Sequence, residues 1–258
     1  MLISAGLKDL SPSGWLRIYF VSRLVNFVVI QGGNLYRLVL LKKKYNFSYA
    51  DSIGITALLI WLNASIALLV SSYILITIEW GPEGFGDSLR VWSVAGLVIL
   101  LLAPVLLVRA VMAFKYLPAL PTKILEPVLK IANHFVVTMK NNRLMLKITF
   151  LSCINFFFFV GANYFSFRAL GQTVDVVAVC IFTAAFVFTR YINIVPGNIG
   201  LSELVGGLVS EQLGIGFGNG LLVSGIMRMI EILMIMLFGL FYGKFLLLEY
   251  FRNRPKEG

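Results

Sequence analysis

The sequence predicts an all-α fold, a polytopic helical membrane protein with broken or re-entrant helices around residues 31–34 and 196–200. Three observations support this prediction. Of the 258 residues, 59% are hydrophobic and 13% are charged, whereas soluble domains carry about 25% charged residues. Apolar stretches recur at lengths near the ~20 residues that cross a bilayer. Glycine and proline clusters divide two of these stretches into shorter pieces.

Length and charge favour one membrane domain. No stretch is long and polar enough to form a soluble domain, so we expect residues 1–258 to form a single transmembrane domain. The net charge is +10, which an excess of Lys and Arg in cytoplasmic loops explains. Binding to nucleic acid is not expected, because the chain has no basic soluble module to carry it.

The first half predicts a broken helix followed by two spans. Residues 14–30 are predicted to form a helix after a Ser-Pro-Ser cap. Arg17 and Arg23 make this helix a weak candidate for a span, and the alternatives are that it is tilted, interfacial or shielded by other helices. A short amphipathic piece ending in three lysines follows the break at 31–34. Residues 53–78 and 91–108 are apolar enough to span, and an acidic turn at 79–88 separates them.

The second half begins with a basic connector, residues 109–147, which holds seven Lys and Arg against one acid. Apolar residues at helical spacing predict an amphipathic helix over 121–142 that lies on the inner membrane surface. Residues 148–167 span the membrane, 174–189 and 201–213 flank the second break, and 221–248 form the last helix. The two helices at this break either span or form a re-entrant hairpin, and we favour the hairpin.

Charge asymmetry predicts the orientation. The three lysines, the basic connector and the basic tail are expected in the cytoplasm, and the acidic turn is expected outside. The chain is then a multi-pass membrane protein with a cytoplasmic C-terminus.

The second break is the predicted functional centre, since a helix broken at membrane depth must be buried in protein or line a wet cavity. Ionisable residues flank it on both sides, and at that depth they usually face the bundle interior. Nearby, two charged residues three positions apart share a helix face. The residues predicted to bind a lipid headgroup are Arg37, Arg190, Pro196, Gly197, Asn198, Gly200, Glu203, Arg228 and Glu231.

Two interpretations of these charges stay open. The charges near the second break either neutralise one another, or line a cavity in which arginines meet phosphate and acids meet amines or sugar hydroxyls. The first break, with Arg37 beyond it, is what an internal transporter repeat predicts. A row of small residues at every fourth position predicts a close helix contact beside Glu203: Ser202, Gly206, Ser210 and Gly214.

No catalytic motif accompanies these charges. Cys153 and Cys180 are interpreted as small buried thiols, and with the single histidine, His134, they have no zinc-ligand spacing. We therefore expect no metal and no cofactor, and we do not expect an enzyme.

The late motif resembles a known family. Residues 196–203, Pro-Gly-Asn-Ile-Gly-Leu-Ser-Glu, are similar to the Pro-Gly-Gly-Ile-Gly-x-x-Glu motif of the lysylphosphatidylglycerol synthase transmembrane-region family, also called flippase-like proteins. Residues 31–37, then 42–44 and 47–48, resemble its early motif, without the proline and with the second glycine out of register. The resemblance extends over about residues 10–248.

The resemblance implies a translocase of polar-headgroup lipid in the cytoplasmic membrane of a prokaryote. Candidate lipids are aminoacylated phospholipids, isoprenoid-linked lipids and glycolipids. The soluble synthase domain is lacking, so lipid synthesis is not implied, and we expect one or two N-terminal helices of the family to be missing. The alternatives are a membrane-embedded lipid-modifying transferase and a non-transporting scaffold for a glycosyltransferase. The expected partners are membrane lipids, a glycosyltransferase or lipid-biosynthesis enzyme, and a second copy in a homodimer.

Overall fold

The computed structural model describes residues 11–77, 85–114, 122–191 and 199–252, and within these ranges it contains helices and no strand. The all-α prediction is confirmed. The helices are α1 (Pro12–Val28), α2 (Gly32–Tyr45), α3 (Tyr49–Thr77), α4 (Phe85–Phe114), α5 (Thr122–Lys140), α6 (Asn142–Ala169), α7 (Val176–Thr189), α8 (Leu201–Gln212) and α9 (Phe217–Arg252).

Long apolar helices make this a multi-pass membrane protein. In the described part of the chain, α3, α6 and the Phe217–Lys244 part of α9 are long and apolar enough to cross a bilayer. Helix α4 has 30 residues and continues through Pro104. It begins at Phe85, so the predicted turn at 79–88 is wrong in its last four residues.

Four helices are shorter than the bilayer core. The first broken pair, α1 and α2, has 17 and 14 residues, and the second broken pair, α7 and α8, has 14 and 12. At about 1.5 Å per residue they are roughly 18–26 Å long, against a core of about 30 Å. The two helices of each pair pack on each other, and a long helix follows each pair.

The packing interlocks the two halves of the chain. Helix α1 of the first broken pair packs on α9, and α7 of the second broken pair packs on α3. Each pair therefore lies against the long helix that follows the other pair.

The first break is a tight reversal held by side-chain caps. Gln31 adopts the left-handed conformation with φ of 61°. The Asn26 side-chain oxygen accepts hydrogen bonds from the backbone N–H groups of Gly33 (2.8 Å) and Asn34 (3.3 Å), which caps α2 from the preceding helix. A Cβ on Gly33 would collide with the Ser22 carbonyl. Glycine there lets α2 fold back closely on α1.

The second break separates Thr189, where α7 ends, from Leu201, where α8 begins. Gly200 has φ of 91°, a conformation that glycine adopts without steric cost. Its backbone N–H donates to the Glu203 carboxylate at 2.8 Å, which caps α8. Residues 192–198 lie outside the described residues.

Small residues bring α8 and α9 into close contact, as predicted. A Cβ on Gly206 would collide with Ser224, and a Cβ on Gly220 would collide with Ser210. Close backbone approach of this kind is typical of small-residue faces in membrane helices. Gly214 is an exception to the predicted row. It lies in the turn after α8 with φ of 72°.

The predicted amphipathic helix is α5, which packs on α3. His134 Nδ1 lies 2.9 Å from the Asp51 carboxylate. A Cβ on Gly54 would contact His134, so glycine allows the close approach. Phe135 is buried against Leu58. The position of α5 on the inner membrane surface stays a prediction.

Candidate functional site

A cavity of about 290 Å³ lies between the two broken pairs. Its wall includes the turn of the first broken pair, the end of α7, the start of α8, and faces of α3 and α9. The turn of the first break and the described residues on both sides of the second break therefore line the same space. The charged residues that line it are Arg23, Arg37, Arg190, Arg228 and Glu231.

Arg228 is held firmly by the start of α8. Its Nε lies 2.6 Å from Glu203 Oε1, and its Nη2 donates to Ser202 Oγ at 2.7 Å. The Arg228 and Glu203 side chains are 13% and 18% exposed. The second Glu203 oxygen accepts from the N–H of Gly200. Glu203 thus caps its own helix and positions an arginine of α9 in the cavity wall.

Glu231 lies between two arginines and is held loosely by both. One of its oxygens is 3.9 Å from Arg23 Nη1, and the other is 3.9 Å from Arg190 Nη2. These separations exceed the 2.7–2.9 Å of a charge-assisted hydrogen bond. The Arg190 guanidinium also lies 3.9 Å from the centroid of the Phe159 ring, a cation–π contact.

Arg37 reaches the cavity from the first broken pair. Its Nη2 donates to Thr56 Oγ1 of α3 at 3.3 Å. Within the described residues, no carboxylate lies within salt-bridge distance of it. Beside it, Asn34 Nδ2 donates to Gln31 Oε1 at 2.5 Å, and both amides line the cavity. The first break therefore contributes a cation and uncharged hydrogen-bonding groups.

The structure brings together most of the predicted site. Arg37, Arg190, Arg228 and Glu231 line one cavity. Gly200 and Glu203 adjoin it through the contacts of Arg228, and Glu203 is not itself among the lining residues. The predicted site residues Pro196, Gly197 and Asn198 lie outside the described residues. Whether any of them touches a headgroup stays a prediction.

The first interpretation, mutual neutralisation, applies in part, and a cavity that holds a headgroup stays a prediction. Glu203 neutralises Arg228, and Glu231 is shared between Arg23 and Arg190. Four arginines and two glutamates nevertheless leave two positive charges in excess in this part of the described structure.

Arg23 is the main site residue that the prediction missed. The sequence did carry a signal, since an arginine inside an apolar segment usually faces the bundle interior. Asn26, one helical turn further along α1, lines the same cavity. Its role as a cap for α2 has no sequence signature, because the contact joins two helices across a reversal.

The other candidate groups lie elsewhere. Cys180 is buried and Cys153 half-buried, and both are free thiols. His134 pairs with Asp51 and does not line the cavity. In the ranges that the structure describes, no three His, Cys, Asp or Glu side chains are grouped so that they could hold a metal ion.

The chain matches the family model of the lysylphosphatidylglycerol synthase transmembrane region over residues 1–239. The matched range includes both broken pairs and every residue that lines the cavity. No curated protein and no solved structure matched the chain.

Proposed function

Because this chain belongs to the lysylphosphatidylglycerol synthase transmembrane-region family, we propose that it binds the polar headgroup of a membrane lipid in the arginine-lined cavity. The bound lipid then moves between the two leaflets. The proposed location is the cytoplasmic membrane of a prokaryote, with the C-terminus in the cytoplasm.

One observation carries this proposal: two helix breaks, far apart in sequence, open onto one charged cavity inside an apolar protein. Charges at membrane depth are costly, so they are retained where they serve a pathway or a binding site. Transporters place their substrate sites at such discontinuous helices. Arginine suits a lipid phosphate, since its planar guanidinium donates two parallel hydrogen bonds.

The interlocked packing supports movement as well as binding. Helix α1 packs on α9 and α7 packs on α3, so a shift of one broken pair changes both sides of the cavity. In alternating access, one repeat rocks against the other around a fixed site. We propose that the two broken pairs move in this way and expose the headgroup to each leaflet in turn.

The two alternative functions have less support. A transferase requires an acid or base free to handle a proton, and the carboxylates of Glu203 and Glu231 both lie against arginines. A scaffold requires no cavity, so an open, charged cavity favours a ligand.

Reconstitution into vesicles tests the proposal. The vesicles contain acyl-labelled fluorescent lipids with phosphoglycerol, phosphoethanolamine or phosphocholine headgroups, and dithionite quenches the label in the outer leaflet only. We expect quenching of the inner-leaflet label to depend on the protein. Arg190→Gln should slow it by about tenfold or more, because a hydrogen bond to a charged group contributes about 1.5–3 kcal/mol.

The matched control is Arg168→Gln, which removes an exposed arginine that does not line the cavity. We expect it to leave the rate unchanged. Vesicles in which no labelled lipid moves, together with purified protein that retains no lipid by mass spectrometry, would refute translocation and favour the scaffold.

A further inference from the structure

The cavity also indicates the charge of the headgroup that it accepts. Arg23, Arg37, Arg190 and Arg228 line it, and Glu231 is the carboxylate among its described lining residues. Glu203 neutralises Arg228 from outside that lining. The remaining three arginines therefore face a single negative charge, and a ligand would complete the balance by bringing negative charge.

The two acids differ in how firmly they are held. Glu203 Oε1 lies 2.6 Å from Arg228 Nε, and its other oxygen accepts a hydrogen bond from the N–H of Gly200. Glu231 stays 3.9 Å from both Arg23 and Arg190, and its side chain is 41% exposed. A carboxylate at that distance has not formed the short hydrogen bonds that make such pairs strong. Glu231 therefore supplies a negative charge between the two guanidinium groups without forming a close contact with either.

A positively charged headgroup fits this arrangement poorly. An amine would need a carboxylate whose charge is not already balanced, and Glu231 lies between two arginines. Like charges brought together in a partly desolvated site cost energy. A phosphate-bearing headgroup with net negative charge is attracted instead, since Arg37, Arg190 and Arg23 all line the cavity.

Resting on the proposed lipid-binding function, we infer that the cavity selects a lipid with an anionic, phosphate-bearing headgroup, and that Glu231 is a built-in competitor for the same arginines. Glu231 balances Arg23 and Arg190 in the empty cavity, and the headgroup phosphate replaces it there. This arrangement limits affinity, which a carrier needs in order to release its lipid.

Removing the competitor should therefore tighten binding. We expect Glu231→Gln to increase affinity for an anionic lipid by roughly tenfold, the effect of one unit charge a few Å from the ligand in a half-solvated site. Affinity for a zwitterionic lipid should change little. The matched control is Glu211→Gln, the same change at an exposed position on α8 that does not line the cavity. Arg37→Gln should have the opposite effect and lower the affinity for the anionic lipid.

The test is equilibrium binding to the full chain in detergent, by thermophoresis, with short-chain phosphatidylglycerol, phosphatidylcholine and lysylphosphatidylglycerol, and with inorganic phosphate as a fourth ligand. Thermal unfolding confirms that each variant is folded. We expect phosphatidylglycerol to bind most tightly and the lysyl lipid, whose net charge is positive, most weakly. Glu231→Gln should increase that difference.

Each other outcome has a separate meaning. If the lysyl lipid binds most tightly and Glu231→Gln weakens it, Glu231 holds an amine; the inference is then overturned, while the lipid-binding function stands. If inorganic phosphate binds as tightly as phosphatidylglycerol, the arginines hold a soluble anion, which overturns the lipid assignment. If none of the three lipids binds to folded protein, the proposed function itself fails.

Discussion

Glu203→Gln tests whether the acid at the start of α8 is needed to hold Arg228 in place. The change keeps the size of the side chain and an oxygen that can still accept from the Gly200 N–H. It removes the charge that lies 2.6 Å from Arg228 Nε. The arginine would then remain largely buried and would keep its hydrogen bond to Ser202.

The size of the effect follows from burial. Removing one member of a buried ion pair typically costs about 3–5 kcal/mol, because the other charge is left uncompensated. The low exposure of both side chains, 13% and 18%, places this pair in that range. We therefore expect Glu203→Gln to lower the free energy of unfolding by about 3 kcal/mol. Exchanging the two residues should restore the charge pairing and so part of the lost stability. The restoration should be incomplete, because arginine at position 203 cannot accept the hydrogen bond that caps α8.

The assay is SDS-induced unfolding in mixed micelles, followed by circular dichroism, with lipid retention measured on the same samples. Glu211→Gln is the control and should change the unfolding free energy by less than about 0.5 kcal/mol, as exposed substitutions usually do. Unchanged stability of Glu203→Gln, combined with complete loss of bound lipid, would refute this reasoning. Glu203 would then direct its charge to the headgroup, as the sequence predicts, rather than to Arg228.

Two further predictions concern topology and packing. With the native cysteines replaced, an impermeant thiol reagent added to intact cells should label a cysteine at Thr173 but not one at Asn142. Helix α6 separates these positions, and the basic connector is predicted to be cytoplasmic. Labelling only at Asn142 would show that the orientation is the reverse. Gly220→Ala should destabilise the protein, because its Cβ would collide with Ser210 on α8. The control, Gly225→Ala on the same helix, places its Cβ where nothing lies within 4 Å, so it should be neutral or stabilising by up to about 1 kcal/mol. Equal effects at both positions would contradict the close α8–α9 contact.

Local sequence patterns sufficed for much of the fold. Hydropathy and length indicate the spans, and the small-residue row after the second break indicates the contact between α8 and α9. Arg228 and Glu231 are three residues apart on α9, so their shared helix face could be predicted from spacing alone. Each of these signals is contained in one helix or in two consecutive helices.

The partners across the cavity could not be predicted in the same way. Arg23 lies on α1, about two hundred residues before Glu231, and no local pattern tells which distant charge an arginine meets. The packing of α1 on α9 decides it. The sequence interpretation of α1 as tilted, interfacial or shielded left this open, and the structure shows that α1 packs on α9.

The two glutamates near the cavity have different surroundings, and these fit the two tasks of a carrier. Glu203 lies near the close contact of α8 and α9 at Gly206 and Gly220, and it pairs with Arg228 across these two helices. Glu231 of α9 faces Arg23 and Arg190, which belong to different broken pairs, so its two contacts are made to separate parts of the structure. A site that binds and then releases an anion requires both properties: fixed cations to recognise it, and a nearby counter-charge that can take its place. In the proposed carrier, the firm pair fixes Arg228 and the start of α8 at the cavity wall, and the loose carboxylate between the two broken pairs supplies the counter-charge.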